Sequence, residues 1–218
     1  MSFCFANVFK HHHGYSAHLR GAFVAIPEFL PPARIFRTRT SSVDLCTFVV
    51  QENVRRGSRL RGDRTPHLLP TEAQFEYAMR AGATTRFATG DNPQSLDGYA
   101  NVQDASLKLR VPNLNYANYP SFRFDDGVAL AVLGSYQKNA FGLYDMRGNV
   151  WEWCRDGYDA KYYAAAPDQD PPGPSSGSFR VLRGGSWFRE PISVRCASRF
   201  FNAPGECLGS FGFRLVWE

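Results

Sequence analysis

Apolar and polar residues alternate most clearly in two stretches of the C-terminal half of the chain. Trp151 and Trp153 stand two positions apart, so on a strand both indoles face one side of a sheet and Glu152 faces the other. Residues 211–218 repeat the alternation, with aromatic and leucine side chains at every second position. The pattern predicts two strands, and the second has one face mostly buried.

A helical pattern occurs at residues 72–81. Thr71 precedes it as an N-cap and Gln74 stands three residues further on, which together form a capping box. Glu72 lies in the first turn, where the helix dipole favours a negative charge, and Gly82 ends the helix. The buried stripe is predicted to contain Phe75, Ala78 and Met79.

Two further elements are predicted near the C-terminus. Residues 180–187 indicate a strand that enters a bend at Gly184 and Gly185, where the backbone packs closely against a neighbouring element. No phosphate-binding pattern accompanies these glycines. Residues 194–201 carry two arginines four positions apart, which predicts a short helix with both arginines on its exposed face.

Composition agrees with an irregular fold. The chain has 218 residues, enough for one domain or one domain with an arm. Its 18 Phe, 10 Tyr and 4 Trp stand beside 19 Gly and 14 Pro, a mixture typical of a loop-rich fold with large aromatic anchors. Residues 1–66 show no convincing amphipathic element. We therefore divide the chain into an irregular, basic arm at 1–66 and a domain at 67–218.

The net charge of +5 comes from the arm. Residues 1–66 contain ten Lys and Arg against four Asp and Glu, whereas the remainder contains fifteen against sixteen. No basic motif interleaved with aromatic residues occurs, so no nucleic-acid partner is expected. No stretch of about 18 apolar residues occurs, and the apolar segment 22–30 is broken by Pro27 and Glu28. We predict no membrane partner and no signal peptide in this chain, and the compartment stays open.

Five cysteines occur, at positions 4, 46, 154, 196 and 207. They show no CxxC pair and no metal-ligand spacing, and an odd number excludes complete pairing within one chain. We expect mostly reduced thiols, although Cys196 and Cys207 can form a bridge in an oxidising compartment.

A tight turn at Gly148 and Asn149, the glycine-asparagine turn, has several oxygen ligands around it. Asp145, Asn149 and Glu152 supply side-chain oxygens, the ligand type that calcium prefers. Asn101 and Asp126 would suit a second calcium ion if the fold brings them together. The alternative is an ordinary turn leading into a buried strand, with Glu152 solvated or paired with an arginine.

Six motifs occur in one order along residues 67–218: LPTEAQFEYAMRAG, YANV, FDDG, NAFGLYDMRGNVWEWC, RVLRGGSW and FGFRLV. Together they resemble the formylglycine-generating enzyme family, also called the sulfatase-modifying factor family. The resemblance implies an α+β, loop-rich C-type-lectin-like domain with short twisted antiparallel strands and a few helices. Residues 1–66 do not show the family's N-terminal elements, so we expect an unpaired edge in the central sheet.

The resemblance also implies two structural calcium ions, each held by side-chain and carbonyl oxygens. The positions that match the ligands of one ion are Asp145, Gly148, Val150 and Glu152. The positions that match the ligands of the other ion are Asn101, Val102, Asp126 and Val128. Carboxylate and carbonyl oxygens suit a hard cation, in agreement with the interpretation from the residues alone.

Enzymes of this family oxidise a cysteine of a client sulfatase to formylglycine with oxygen and copper. Two cysteines after the glycine bend bind the copper in those enzymes. Residues 187–195 follow the bend here and contain no cysteine. Because Cu(I) prefers thiolates, copper binding is not expected.

These features predict a calcium-stabilised, non-oxidase binding or accessory module, a pseudoenzyme of the family. Its expected partner is a protein or peptide ligand at the C-terminal surface between Phe188 and Ser210. Two alternatives stay open. One is a formylglycine-generating oxidase in which Cys196 and Cys207 take the thiol role, and the other is a truncated fragment without independent activity.

Overall fold

The computed structural model describes residues 2–6, 67–104, 130–131, 133–206 and 208–217. The ligand candidates Asp126 and Val128 and the thiol of Cys207 lie outside these ranges. Within them, the structure combines one mixed sheet, one α-helix and three short 3-10 turns. No helix of the described ranges is long and apolar enough to cross a bilayer.

The helix α1, Glu72–Arg80, forms where its capping residues predict it. The Thr71 hydroxyl accepts a hydrogen bond from the Gln74 amide, and the Gln74 side chain accepts one from the Thr71 amide. This reciprocal box satisfies two amides that the first turn leaves without partners. The helix ends one residue earlier than predicted, because Ala81 adopts a left-handed conformation with φ of 49°. The predicted stripe of Phe75, Ala78 and Met79 is buried.

The described strands are β1 Ser2–Ala6, β2 His67–Leu68, β3 Trp151–Gly157, β4 Arg180–Arg183, β5 Phe200–Asn202 and β6 Phe211–Trp217. Their order in the sheet is β1-β6-β3-β4-β5, and β2 also pairs with β6. The pair of β3 and β6 is parallel, whereas the other pairs are antiparallel. The sheet is therefore mixed: its pairs are antiparallel, as the family resemblance implied, except for the parallel pair of β3 and β6.

Strand β6 lies inside the sheet rather than at an edge. On one side it pairs with β1, from Ser2 opposite Trp217 to Ala6 opposite Phe213. On its other side it pairs with β3, with Trp151 opposite Phe211. The unpaired edge expected in the central sheet does not lie at β6, because Ser2–Ala6 supply a neighbour; β1 and β5 are the outer strands among the described residues.

The two faces of β3 and β4 pack against different groups. Trp151, Trp153 and Leu182 form one apolar cluster together with aromatic residues of β6. Cys154 and Val181 point to the opposite face and pack on the buried stripe of α1. The predicted separation of the indoles from Glu152 is therefore confirmed. Arg214 and Val216 of β6 are also buried, so both faces of this strand are covered, not one.

The prediction of a short helix at residues 194–201 is wrong. Residues Pro191–Val194 form a 3-10 turn, Arg195 is extended, and β5 begins at Phe200. Pairing of β5 with β4 supplies backbone hydrogen bonds that a helix would otherwise provide. The two arginines diverge accordingly: Arg195 bonds the carbonyl of Ile192 at the surface, and Arg199 reaches the buried Glu72.

Candidate functional site

The glycine-asparagine turn is held in a compact, left-handed form. Asp145, Gly148 and Asn149 have φ of 53°, 70° and 62°. The Gly148 amide donates to the Gly184 carbonyl at 2.8 Å, and the Asn149 amide donates to the Asn101 carbonyl at 2.8 Å. A Cβ at Gly148 would lie 2.0 Å from the Asn101 carbonyl oxygen, so the close approach requires glycine.

Glu152 follows this turn on β3 and forms a two-point ion pair with Arg214 of β6. Arg214 Nη2 donates to one Glu152 oxygen at 2.6 Å, and Nε donates to the other. Nη2 also donates to the Asp145 carbonyl at 3.0 Å. Burial raises the pKa of Glu152, and the neighbouring Arg214 opposes that effect. Pairing with an arginine, the alternative to solvation in the ordinary-turn interpretation, is thus observed.

Asp145 brings a second carboxylate to the same arginine. Its Oδ2 accepts a hydrogen bond from the Gly134 amide at 2.7 Å. Burial raises the pKa of Asp145, whereas the Gly134 amide and the charge of Arg214 lower it. The charge of Asp145 in turn raises the pKa of Glu152. Two buried carboxylates therefore lie near one guanidinium, which is paired with Glu152 and acts on Asp145 through its charge.

A hard divalent cation at this turn would take oxygens from Glu152 and Asp145. Each oxygen of Glu152 uses one lone pair for Arg214 and retains another. In the part of the chain that the structure describes, no three His, Cys, Asp or Glu side chains cluster as metal ligands. The other ligands of such an ion would be the carbonyls of Gly148 and Val150, as calcium accepts both kinds of oxygen.

The second predicted ligand set is described in part. Asn101 and Val102 are buried, and Asn101 Nδ2 donates to Asn149 Oδ1 at 3.2 Å. The same Asn149 oxygen accepts from the Ala131 amide at 2.9 Å. Asn149 thus links the segment around Asn101 to the turn that carries Asp145. The remaining members of this set lie outside the described residues, and the second ion stays a prediction.

The thiols of Cys154 and Cys196 are buried and free. Both belong to the apolar cluster around α1. Burial raises the pKa of the Cys196 thiol and raises that of Cys154 well above its usual range. Both therefore remain protonated near neutral pH and pack as small apolar side chains.

A second buried ion network joins α1 to the sheet, and sequence reasoning missed it. Arg199 Nε and Nη2 donate to the two oxygens of Glu72 at 2.6 and 2.8 Å. Arg183 Nε lies 3.4 Å from Glu72 in an ion pair without hydrogen-bond geometry, and its Nη2 donates to Glu76. Asp156 Oδ2 accepts the Glu72 amide at 2.8 Å, and burial raises the pKa of Asp156 to about 6.

Arg199 also stands at an exposed group of aromatic rings. Its guanidinium lies 4.8 Å from the centre of the Tyr158 ring and 5.1 Å from that of Tyr163. Phe201 stacks on Tyr158 at 4.2 Å between ring centres and contacts Phe179 at 5.1 Å. The side chains of Tyr163, Phe179 and Phe201 are 39 to 44 % exposed. We call these five residues the aromatic patch. Arg199 and Phe201 lie within the predicted ligand surface.

A profile of the family described as sulfatase-modifying factor enzyme 1-like domain matches residues 39–218. The match begins before the motifs quoted above. Because residues 39–66 lie outside the described ranges, the domain boundary at 67 stays a prediction.

The chain is 40 % identical over 152 residues to a formylglycine-generating enzyme of Streptomyces coelicolor. The match covers 68 % of this chain and 46 % of that enzyme. It is 48 % identical over 150 residues to serine/threonine-protein kinase Pkn1 of Chlamydia trachomatis, 68 % of this chain and 20 % of that protein. Among solved structures, Treponema denticola variable protein 1 matches with a TM-score of 0.57 and 31 % identity, over 73 % of this chain and 50 % of that one. The chain thus spans less than half the length of these two curated relatives.

Proposed function

Because the chain belongs to the sulfatase-modifying factor enzyme 1-like domain family and has its loop-rich, C-type-lectin-like fold, we propose that it is a calcium-stabilised binding or accessory module without formylglycine-generating activity. The observation that carries the proposal is the burial of Cys196, the first cysteine after the glycine bend. A copper-thiolate centre needs two accessible thiols that lose their protons readily.

The bend itself supports this view of the thiols. Ser186 is followed by nine residues without cysteine, and the Arg189 amide closes a turn on the Ser186 carbonyl at 3.0 Å. The backbone amide of Cys196 donates to the Arg86 carbonyl at 2.8 Å, which fixes the residue against the core. A thiol in this position contributes packing rather than metal binding.

The calcium part of the proposal rests on the two carboxylates at the turn. Asp145 and Glu152 are both buried near one guanidinium, so the negative charge of the two carboxylates exceeds the positive charge of Arg214 and would attract a divalent cation. When bound, calcium would supply a cross-link between the turn and the start of β3. The protein's own residues hold the turn in shape through Gly148 and Asn149.

The binding part rests on the aromatic patch. Exposed apolar groups that adjoin one another mark interaction surfaces more often than isolated ones do. Arg199 is held by Glu72, so the rings around it stand on a rigid support. We assign the protein or peptide ligand to this patch and to the adjoining surface between Phe188 and Ser210.

An oxidation assay tests the enzymatic part. The copper-treated protein is incubated under oxygen with a sulfatase-derived peptide that contains the client cysteine, and aldehyde formation is followed by mass. The Streptomyces coelicolor relative serves as the positive control. We expect no conversion by this chain. Conversion that disappears in Cys196→Ser would establish the oxidase alternative instead.

Calcium binding is tested by thermal unfolding in calcium, in magnesium and in chelator. We expect calcium to raise the melting temperature more than magnesium does, and Asp145→Asn to lose most of that rise. The asparagine side chain would still offer an oxygen acceptor to the Gly134 amide, so the melting temperature in chelator should fall only slightly in Asp145→Asn. Asp168→Asn, at an exposed position, is the matched control. An equal calcium response in wild type and Asp145→Asn would refute this ligand assignment.

The ligand surface is tested with peptides selected from a random library for binding to the wild-type protein. Phe201→Asp should abolish binding of the selected peptides, whereas Phe141→Asp should not, although both rings are exposed. A single cooperative urea transition in both variants would show that each is folded and would argue against the fragment alternative. Peptides that bind all three proteins equally would place the surface elsewhere.

A further inference from the structure

Three arginines are buried among the described residues, and two of them have acidic partners. Arg183 pairs with Glu72 and Glu76, and Arg214 pairs with Glu152. Arg147 is 3 % exposed, yet its Nε and Nη1 have no hydrogen-bond partner among the residues that the structure describes. In the described ranges, no Asp or Glu forms an ion pair with it.

An unpaired buried guanidinium is unusual because removal from water is costly for a charge. The Cζ atom of Arg147 lies over the half-buried Tyr99 ring, 5.9 Å from its centre. This contact is favourable but uses the π face of the ring and leaves the in-plane N–H groups without acceptors. The fold therefore holds donors in place that protein oxygens do not satisfy.

Arg147 interacts electrostatically with Cys196 and Tyr99. Cys196 lies near both Arg147 and Arg80, and its thiol is protonated. Glu76 also lies near this thiol, but it already pairs with Arg80 and Arg183. An anion at Arg147 would therefore meet one arginine without a counter-charge and no free carboxylate among these neighbours.

One edge of the Arg147 guanidinium matches the shape of an oxyanion, which would take one of the two unpaired donors together with Nη2. Nε and Nη1 belong to different edges of the guanidinium, and each forms a two-donor edge together with Nη2. Such an edge binds two oxygens of a carboxylate, sulfate or phosphate in parallel. With 3 % of the residue exposed, access suits a small free ion rather than an acidic side chain of another protein.

We propose that Arg147 is the base of an internal binding site for a small oxyanion, adjacent to Tyr99 and Cys196 and separate from the carboxylates at Arg214. The oxyanion supplies the counter-charge that the described residues lack. It lies between the glycine-asparagine turn, Tyr99 and Cys196. This site does not depend on calcium or on the proposed ligand surface.

The test measures thermal and urea unfolding in chelator, with acetate, sulfate or phosphate replacing chloride at constant ionic strength. Wild type is compared with Arg147→Met, Arg147→Lys and, as an exposed control, Arg195→Met. We expect at least one of the three anions to stabilise wild type and Arg195→Met with a saturating dependence on concentration. Arg147→Lys should bind that anion at least tenfold more weakly, because it lacks the planar two-donor edge.

Arg147→Met should show no saturable response, and in chloride it should be at least as stable as wild type, because a buried unpaired charge has been removed. A saturating shift of the Arg147 Nε resonance in ¹⁵N-labelled wild type provides a direct readout. Saturation by acetate alone identifies a carboxylate, and saturation by sulfate or phosphate identifies a tetrahedral oxyanion. Equal responses of wild type and Arg147→Met, or no response in either with an unmoved resonance, would overturn the proposal.

Discussion

Arg214→Met isolates the contribution of the buried pair between β3 and β6. Arg214 donates to both oxygens of Glu152 and to the carbonyl of Asp145, and its side chain is 1 % exposed. Methionine fills a similar volume but, in chelator, leaves the carboxylate of Glu152 without a counter-charge. The substitution therefore converts a satisfied pair into an uncompensated buried charge.

The expected loss is about 3 to 5 kcal/mol of unfolding free energy at neutral pH, the range for removing one member of a buried pair. Without Arg214, the pKa of Glu152 in the folded protein rises further above its unfolded value. The stability contribution of this carboxyl group is then present at low pH and lost as pH rises through the folded pKa. The deficit of Arg214→Met should accordingly shrink at pH values near 5.

A double-mutant cycle measures the coupling between the two residues. It compares urea unfolding of wild type, Arg214→Met, Glu152→Gln and the double variant Glu152→Gln/Arg214→Met. We expect the double variant to be more stable than the sum of the two losses implies, by about 1 to 3 kcal/mol, since it buries no unpaired charge. A loss below about 1 kcal/mol for Arg214→Met, or strict additivity in the cycle, would refute the buried pair as described.

Asp156→Asn should raise the free energy of unfolding at pH 7 and flatten its pH dependence between pH 4 and 7. A carboxyl group whose pKa rises from 3.8 to about 6 on folding favours the folded state below pH 4, and about 3 kcal/mol of this contribution is lost as pH rises through the folded pKa. Urea titrations of wild type and variant at each pH measure the difference. A steeper profile in the variant would contradict this. Gly148→Ala should lower the free energy of unfolding by about 3 to 4 kcal/mol, because alanine disfavours the left-handed φ and its Cβ clashes with the Asn101 carbonyl. Gly142 also has a positive φ but open space around it, so Gly142→Ala should lower the free energy of unfolding by about 1 to 2 kcal/mol in the same urea titrations. Equal losses would remove the clash from the explanation. Thr71→Ala should cost about 1 kcal/mol, and a thermal shift near zero would mean that the capping box does not stabilise α1.

Local patterns predicted the local elements well. The cap at Thr71 and the apolar stripe set α1, and the spacing of Trp151 and Trp153 set the faces of β3, because these signals act within a few residues. The glycine bend after β4 also appears where residues 184 and 185 predict it, with φ of 93° and 81°. The family motifs supplied the fold class.

Contacts between residues that are distant in sequence determined the features that local patterns did not predict. Arg199 and Glu72 are 127 positions apart, and no periodicity relates them. The helical spacing of Arg195 and Arg199 was overridden because Phe200 pairs with Leu182 of β4. The alternation at residues 211–217 indicated one buried face, but Arg214 is also buried because Glu152 neutralises it.

The position of β6 inside the sheet has a consequence for biosynthesis. Residues 211–217 join β1 to β3, so neither neighbour has its full set of backbone partners until this segment has left the ribosome. Strand pairs that close such long loops form slowly. The nascent chain therefore exposes two indoles during translation, and chaperones that shield apolar surface should increase its yield.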